Sequence, residues 1–216
     1  MPDRPLRLVL AILMALGVGM IAGPRLAAAA TVKLVALGDS ITAGLGLRAE
    51  DAYPSVLQGL LKAAGEDVEI ANAGVSGDTV ADGLDRLDWS VPEGTQGVIL
   101  ALGANDMLRG LNPAVTRKGM EAILSHLQER KIAVLIVGMR ASSELGSAYR
   151  GEFDPIFPEL AARHGMLLQP FLLDGVALDP ALNQPDGLHP NAKGAHVIAE
   201  RLLPEVRDLI AQIRGG

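Results

Sequence analysis

Five short apolar runs recur along this chain at wide intervals: VKLVAL (32–37), VEIANA (68–73), GVILAL (97–102), IAVLIVGM (132–139) and GMLLQP (165–170). Between them the pattern changes period. Tyr53–Ala64, Asp78–Leu87, Pro113–Arg130 and Phe153–His164 carry apolar residues every three or four positions, and a last such stretch runs from Asn191 to Ile213. Near-continuous apolar strands alternating with amphipathic helices fit one architecture best. Parallel strands need a crossover between them, and the crossover helices then cover both faces of the sheet. A single three-layer α/β domain with a mostly parallel sheet is therefore expected, with no internal repeat and no long linker.

The first thirty residues are set apart by composition. Arg4 and Arg7 precede an apolar stretch from Leu8 to Ala22, followed by Pro24 and a run of four alanines at 27–30. This is the pattern of a secretory signal peptide, cleaved after Ala30. The apolar stretch is fifteen residues long, short of the roughly 20 that a membrane-spanning helix requires. Cleavage leaves 186 residues, enough for one domain with a substantial core. It also removes Arg4, Arg7, Arg25 and Asp3, taking the formal charge from −6 to −8. An acidic surface argues against nucleic acid as a partner. The chain has no cysteine, so disulfides, thiol nucleophiles and thiolate metal sites are excluded. A periplasmic or secreted protein with no stable membrane insertion after cleavage, working as a monomer, is the expectation.

In an open parallel sheet, ligands bind beyond the carboxyl ends of the strands, where strand order reverses. The residues that follow the strands are therefore the ones to inspect. After the first come Gly38, Asp39 and Ser40, with glycine permitting a close backbone approach and Ser40 at a helix N-terminus. A serine there serves either as a helix cap or as a nucleophile. After the second comes AGVSGDT (73–79), a glycine-rich turn whose N–H groups suit a developing negative charge, and whose Asp78 or Thr79 suits a helix cap. After the third, LGANDMLRG (102–110) supplies Asn105, whose amide donates without carrying charge, beside Asp106. Asn-Asp also forms ordinary turns.

The most informative stretch is DGLHPNAKG (186–194). Pro190 is expected in the first turn of the last helix, leaving Asp186 and His189 on the loop before it. A tight loop lets the carboxylate hold Nδ1–H while Nε2 faces outward, as a general base for serine requires. A metal pair is the competing use of the same two side chains, but no third protein ligand stands nearby. His126, His164 and His196 fall on helices and read as structural.

The blocks GDSITAG, AGVSGDT, LGANDMLRG and DGLHP resemble, in order and spacing, the four motif blocks of the SGNH hydrolases. These are the GDSL-type lipases and esterases, and the resemblance is specifically to the bacterial periplasmic acyl-CoA thioesterase I, lysophospholipase and arylesterase group. The resemblance spans nearly all of the chain beyond residue 30. It implies a flavodoxin-like, five-stranded parallel sheet in an α/β/α sandwich. It implies Ser40, His189 and Asp186 as the catalytic triad, and the Ser40 and Gly77 N–H groups with the Asn105 side chain as the oxyanion hole. The implied activity is hydrolysis of aryl esters, acyl thioesters and lysophospholipids through an acyl-enzyme, with no cofactor and no metal. A carbohydrate O-deacetylase on the same scaffold and a non-catalytic acyl- or glycan-binding envelope protein are the rival readings. Many members have Gly-Gly-Asn-Asp in the third block, where this chain has Ala104; strain is expected if that position needs positive φ. Segments 74–80, 107–111 and 140–153 are expected to border the crevice.

Overall fold

The computed structural model describes residues 30–216; the leader assigned to residues 1–30 lies, except for Ala30, outside the described residues. Strands β1 (Val32–Gly38), β2 (Val68–Gly74), β3 (Gly97–Ala101), β4 (Ala133–Val137) and β5 (Leu167–Gln169) form one parallel sheet in the order β2-β1-β3-β4-β5. Chain direction across the sheet reverses between β1 and β3, the switch point at which α/β sheets bind ligands.

Burial explains which strands hold the sheet together. All of β3 is buried, as are Val134–Val137 of β4 and every residue of β1 except Lys33. Each fully buried Leu, Ile or Val contributes about 1.5–3 kcal/mol, so the centre of the sheet carries most of the driving force. The edge strand β2 buries only Val68 fully. Its backbone is tied down instead by side chains, as where Gln58 Oε1 accepts from the Ile70 N–H at 2.7 Å.

The helices are α1 (Ser40–Ala43), α2 (Tyr53–Ala63), α3 (Val80–Asp85), α4 (Leu87–Ser90), α5 (Ala104–Leu108), α6 (Pro113–Glu129), α7 (Gly146–Phe153), α8 (Ile156–His164) and α9 (Ala192–Gly215). Helix α2 packs on α9, and α9 lies against β3, β4 and β5; α6 packs on α3, α7 and α8. These two groups form the outer layers. Two stretches with helical spacing break where the sequence pattern alone runs on. Residues 78–87 become α3 and the start of α4, parted at Arg86 (φ −102°, ψ 8°). The 153–164 stretch begins within α7 and resumes as α8 after Asp154-Pro155. Proline has no N–H for the helical ladder, and the Asp154 side chain turns away to accept from the Ala141 N–H at 2.8 Å.

Register fixes where the chemistry collects. Gly38 is paired with Gly74 on one side and with Ala101 on the other. The first three strands therefore end at one level, and the segments that follow them emerge side by side.

Candidate active site

At the end of β1 the backbone turns sharply. A Cβ on Gly38 would lie 2.1 Å from Thr42 Oγ1 and 2.8 Å from the Ala101 carbonyl oxygen, so glycine is required by space. Asp39, not Ser40, caps the helix that follows: its Oδ1 accepts from the Ile41 N–H at 3.0 Å. That leaves the Ser40 hydroxyl without a capping role. It lies 2.9 Å from His189 Nε2 instead.

The other side of the imidazole is held by Asp186, whose Oδ2 is 2.7 Å from His189 Nδ1. Oδ1 of the same carboxylate accepts from the backbone N–H groups of Leu188 (2.9 Å) and His189 (3.0 Å). These donors, the His189 N–H foremost, hold the Asp186 pKa down to about 2. Both ring nitrogens of His189 are thus engaged by side chains, which disfavours the metal-pair reading. Pro190 does not begin the last helix. It pairs with Asn183 in an isolated antiparallel bridge, and Asn191 caps α9 by accepting from the Lys193 and Gly194 N–H groups. The side chain of Asn191 supplies the first acceptor of the helix, so the start moves beyond the proline. Gln184 then ties this loop to the first station by donating to the carbonyls of Pro190 (2.9 Å) and Leu45 (2.7 Å).

The expected oxyanion donors come from three segments. Among the described residues, no hydrogen bond uses the N–H of Ser40 or of Gly77. Asn105 Nδ2 donates to the Asp78 carbonyl at 2.9 Å and stands 3.5 Å from Asp39 Oδ2. The amide is therefore anchored at the glycine-rich turn and faces the first station. Positive φ in the third block falls on Gly103 (+116°) and Gly110 (+62°), while Ala104 opens α5 and is not among the positive-φ residues. The strain anticipated at Ala104 is absent. Asp106 is buried and accepts from the Val80 N–H (2.9 Å) and the Thr116 hydroxyl (3.1 Å). It ties α5 to α3 and α6 rather than forming a simple turn. Thr79, of the two candidates in its block, caps α3, in a reciprocal box with Asp82.

Three supporting residues had no role assigned from sequence. Asp39 is 1% exposed, and burial raises its pKa to about 6. Arg86 donates from Nε to Asp78 Oδ2 (2.6 Å), from Nη1 to Ser90 Oγ (2.7 Å) and from Nη2 to the Gly38 carbonyl (2.9 Å). Arg109 donates to the Gly77 carbonyl at 2.6 Å. The remaining histidines are structural: His126 meets Asp88 at 2.7 Å, His164 lies between Gln128 and Glu121, and His196 faces Glu200 at 3.4 Å.

A cleft of about 380 Å³ opens beside Ser40's helical neighbour Ile41, walled by Met107, Leu108, Phe171, Leu178 and Leu188. Of the segments expected to border it, 107–111 contributes Met107 and Leu108, and 140–153 contributes Arg140–Ser143. The 74–80 turn does not line it. Residues from the loop after β5 do, Phe171, Leu173, Ala177 and Leu178 among them; they lie in an apolar run, FLLDGVAL (171–178), with neither strand nor long-helix periodicity to say which face it lines.

A parallel α/β/α sheet that presents a serine, a histidine and an aspartate in hydrogen-bonded series beyond its strand ends defines a serine hydrolase. The chain belongs to the GDSL-like lipase/acylhydrolase family, whose model matches residues 36–197. It is 35% identical over 181 residues to an arylesterase of Vibrio mimicus, covering 83% of this chain and 90% of that one. It is 33% identical over 184 residues to thioesterase 1/protease 1/lysophospholipase L1 of Escherichia coli K12, covering 85% and 87%. The crystal structure of AlinE4, an SGNH-hydrolase family esterase, superposes with a TM-score of 0.70 at 42% identity, covering 82% of this chain and 96% of that one. The chain is a serine ester hydrolase, and hydrolysis of esters and thioesters is the activity its family and relatives support.

Proposed function

We propose that Ser40, His189 and Asp186 carry the reaction, and that the substrates are esters and thioesters with an apolar acyl or aryl group, including aryl esters, acyl thioesters and lysophospholipids. The observation that carries this reading is the unbroken series Ser40 Oγ, His189 Nε2 at 2.9 Å, His189 Nδ1 and Asp186 Oδ2 at 2.7 Å. Ser40 Oγ attacks the carbonyl carbon as His189 Nε2 takes its proton. Asp186, ionised throughout the neutral range, fixes the tautomer and stabilises the imidazolium. Charge on the tetrahedral oxygen is met by the N–H groups of Ser40 and Gly77 and by Asn105 Nδ2. The imidazolium then protonates the leaving alcohol or thiol, leaving an acyl-Ser40 ester. Water, deprotonated by His189, attacks that ester; the acid leaves and the proton returns to Ser40.

The apolar cleft beside Ile41 supports an apolar group in the substrate. The test is hydrolysis of p-nitrophenyl esters and acyl thioesters from acetyl to dodecanoyl, wild type beside Ser40→Ala. Turnover that rises beyond acetyl and vanishes in the variant is expected. Equal rates in the two proteins would defeat the catalytic reading, and a strict acetyl preference would favour carbohydrate O-deacetylation.

Residues 1–30 are, on this proposal, a signal peptide removed after export to the periplasm or beyond. The supporting features are the basic start, the short apolar stretch and the alanine run. Among the described residues, no helix is long and apolar enough to cross a membrane. N-terminal sequencing of the exported protein should begin at Thr31.

A further inference from the structure

The geometry points to Arg86 as a positioning residue that holds the oxyanion-binding segments in register, an inference that rests on the proposed use of Asn105 and Gly77. A single guanidinium reaches two of the motif blocks directly. Nη2 donates to the carbonyl of Gly38, two residues before Ser40, and Nε donates to the carboxylate of Asp78, one residue after Gly77. The Gly38 carbonyl also accepts from the Val75 N–H at 3.0 Å, so the first and second blocks meet at one oxygen with Arg86 across it.

The third block is reached through the second. Asn105 Nδ2 donates to the backbone carbonyl of Asp78, the residue whose side chain Arg86 grips. Any movement of Asp78 therefore carries the Asn105 amide with it. Arg86 is itself immobilised: its side chain is only 16% exposed, it sits in the break between α3 and α4, and Nη1 is fixed on Ser90. A planar guanidinium with five donors can bind a carboxylate, a carbonyl and a hydroxyl at once, whereas an ammonium is a compact point donor.

Charge supplies a second reason. Asp78 and Asp39 are close enough to repel one another, and both stand beside the place where the tetrahedral oxygen would gain negative charge. Two uncompensated carboxylates there would oppose the donors. Arg86, paired with Asp78 at 2.6 Å, offsets one of them.

The test is a double-substitution cycle with p-nitrophenyl butyrate. Arg86→Met should lower kcat at least about tenfold with KM changed by less than about threefold, since the loss is of transition-state stabilisation rather than of substrate contacts. Arg86→Lys, which keeps the charge but cannot make all three bonds, should recover part of that loss. Combined with Asn105→Ala, the Arg86→Met loss should shrink by at least about threefold, because one of the groups it positions is gone. Full multiplication of the two losses would overturn the inference, as would an unchanged kcat in Arg86→Met. Should Arg86→Met fail to fold, as judged by circular dichroism, the same cycle is run with Arg86→Lys, whose smaller kcat loss should likewise shrink in the Asn105→Ala background; an unchanged kcat or full multiplication there overturns the inference. Activity surviving in Ser40→Ala would instead strike at the serine mechanism itself.

Discussion

The hydroxyl of Ser40 and Nε2 of His189, 149 positions apart in the chain, meet at 2.9 Å. The contact is possible because Asp39 performs the capping that a serine at this point would otherwise do. Capping and catalysis are thereby divided between neighbours. Ser40→Ala should lower turnover of p-nitrophenyl butyrate by at least ~10⁴-fold while changing unfolding free energy by no more than about 1 kcal/mol, the scale of one lost hydrogen bond. Kinetics paired with urea denaturation checks both halves. A large loss of stability would mean that Ser40 serves the fold as well.

Asn105 separates binding from turnover. Its amide is anchored on the Asp78 carbonyl, so it is preset before substrate arrives. Donors of this kind act on charge that exists only in the transition state, and deleting one costs about 10²–10³ in kcat. Asn105→Ala should show that loss with KM within a few-fold of wild type, measured by steady-state kinetics. A rise in KM at constant kcat would make Asn105 a substrate contact and remove it from the oxyanion site.

Much of this could be read in the sequence, for reasons that differ by element. Strands β1, β3 and β4 are apolar nearly throughout because both their faces are covered, and such runs need no tertiary knowledge to find. Ser40, Asp186 and His189 stood out because each lies in a short polar block immediately beyond an apolar run or before a long amphipathic one. Arg86 did not stand out. Its meaning lies in Gly38, 48 residues away, and in Asp78, on the turn ahead of α3; within the helically spaced stretch 78–87 it reads as a surface cation. The capping by Asp39 and the displacement of the α9 start to Asn191 were hidden similarly, since Asp, Ser, Pro and Asn all serve helix starts and only the packed backbone chooses among them.

The end of α6 holds a stability gain that leaves the site untouched. Lys131 N–H donates to the Gln128 carbonyl (2.9 Å) and Ile132 N–H to the Leu127 carbonyl (3.0 Å), the paired bonds of a Schellman termination. Lys131 occupies the left-handed position, φ +56°, where glycine is the favoured residue. A side chain there costs about 1–2 kcal/mol, partly returned by the greater freedom glycine has in the unfolded chain. Lys131→Gly should therefore stabilise by about 0.5–1 kcal/mol in urea denaturation, with kcat unaltered. No gain, or a loss, would mean that the lysine side chain makes compensating contacts.

Asp39 links the site to the pH dependence of folding. Burial raises its pKa from the ordinary 3.8 to about 6, with nearby Asp78 adding to the rise, while the Ile41 N–H and the charge of His189 pull the other way. For a carboxyl whose pKa is higher in the folded state, the folded protein binds the proton more tightly. The contribution to stability is thus complete below about pH 4 and is lost as pH rises through 6. A shift of this size corresponds to about 3 kcal/mol. In Asp39→Asn the side-chain oxygen can still accept from the Ile41 N–H, but nothing titrates. The stability of Asp39→Asn relative to wild type should therefore climb by about 2–3 kcal/mol between pH 4 and pH 7, read from urea unfolding at each pH. Groups that do not interact with Asp39, Asp186 among them, cancel in that difference. A difference that stays flat over this range would mean that Asp39 is ionised in the fold even at pH 4, and that the surrounding donors outweigh its burial. A rising difference would give the ionised Asp39 a cost that the fold bears at neutral pH, as expected of a carboxylate kept to cap the serine's helix and face the Asn105 amide rather than to stabilise the chain.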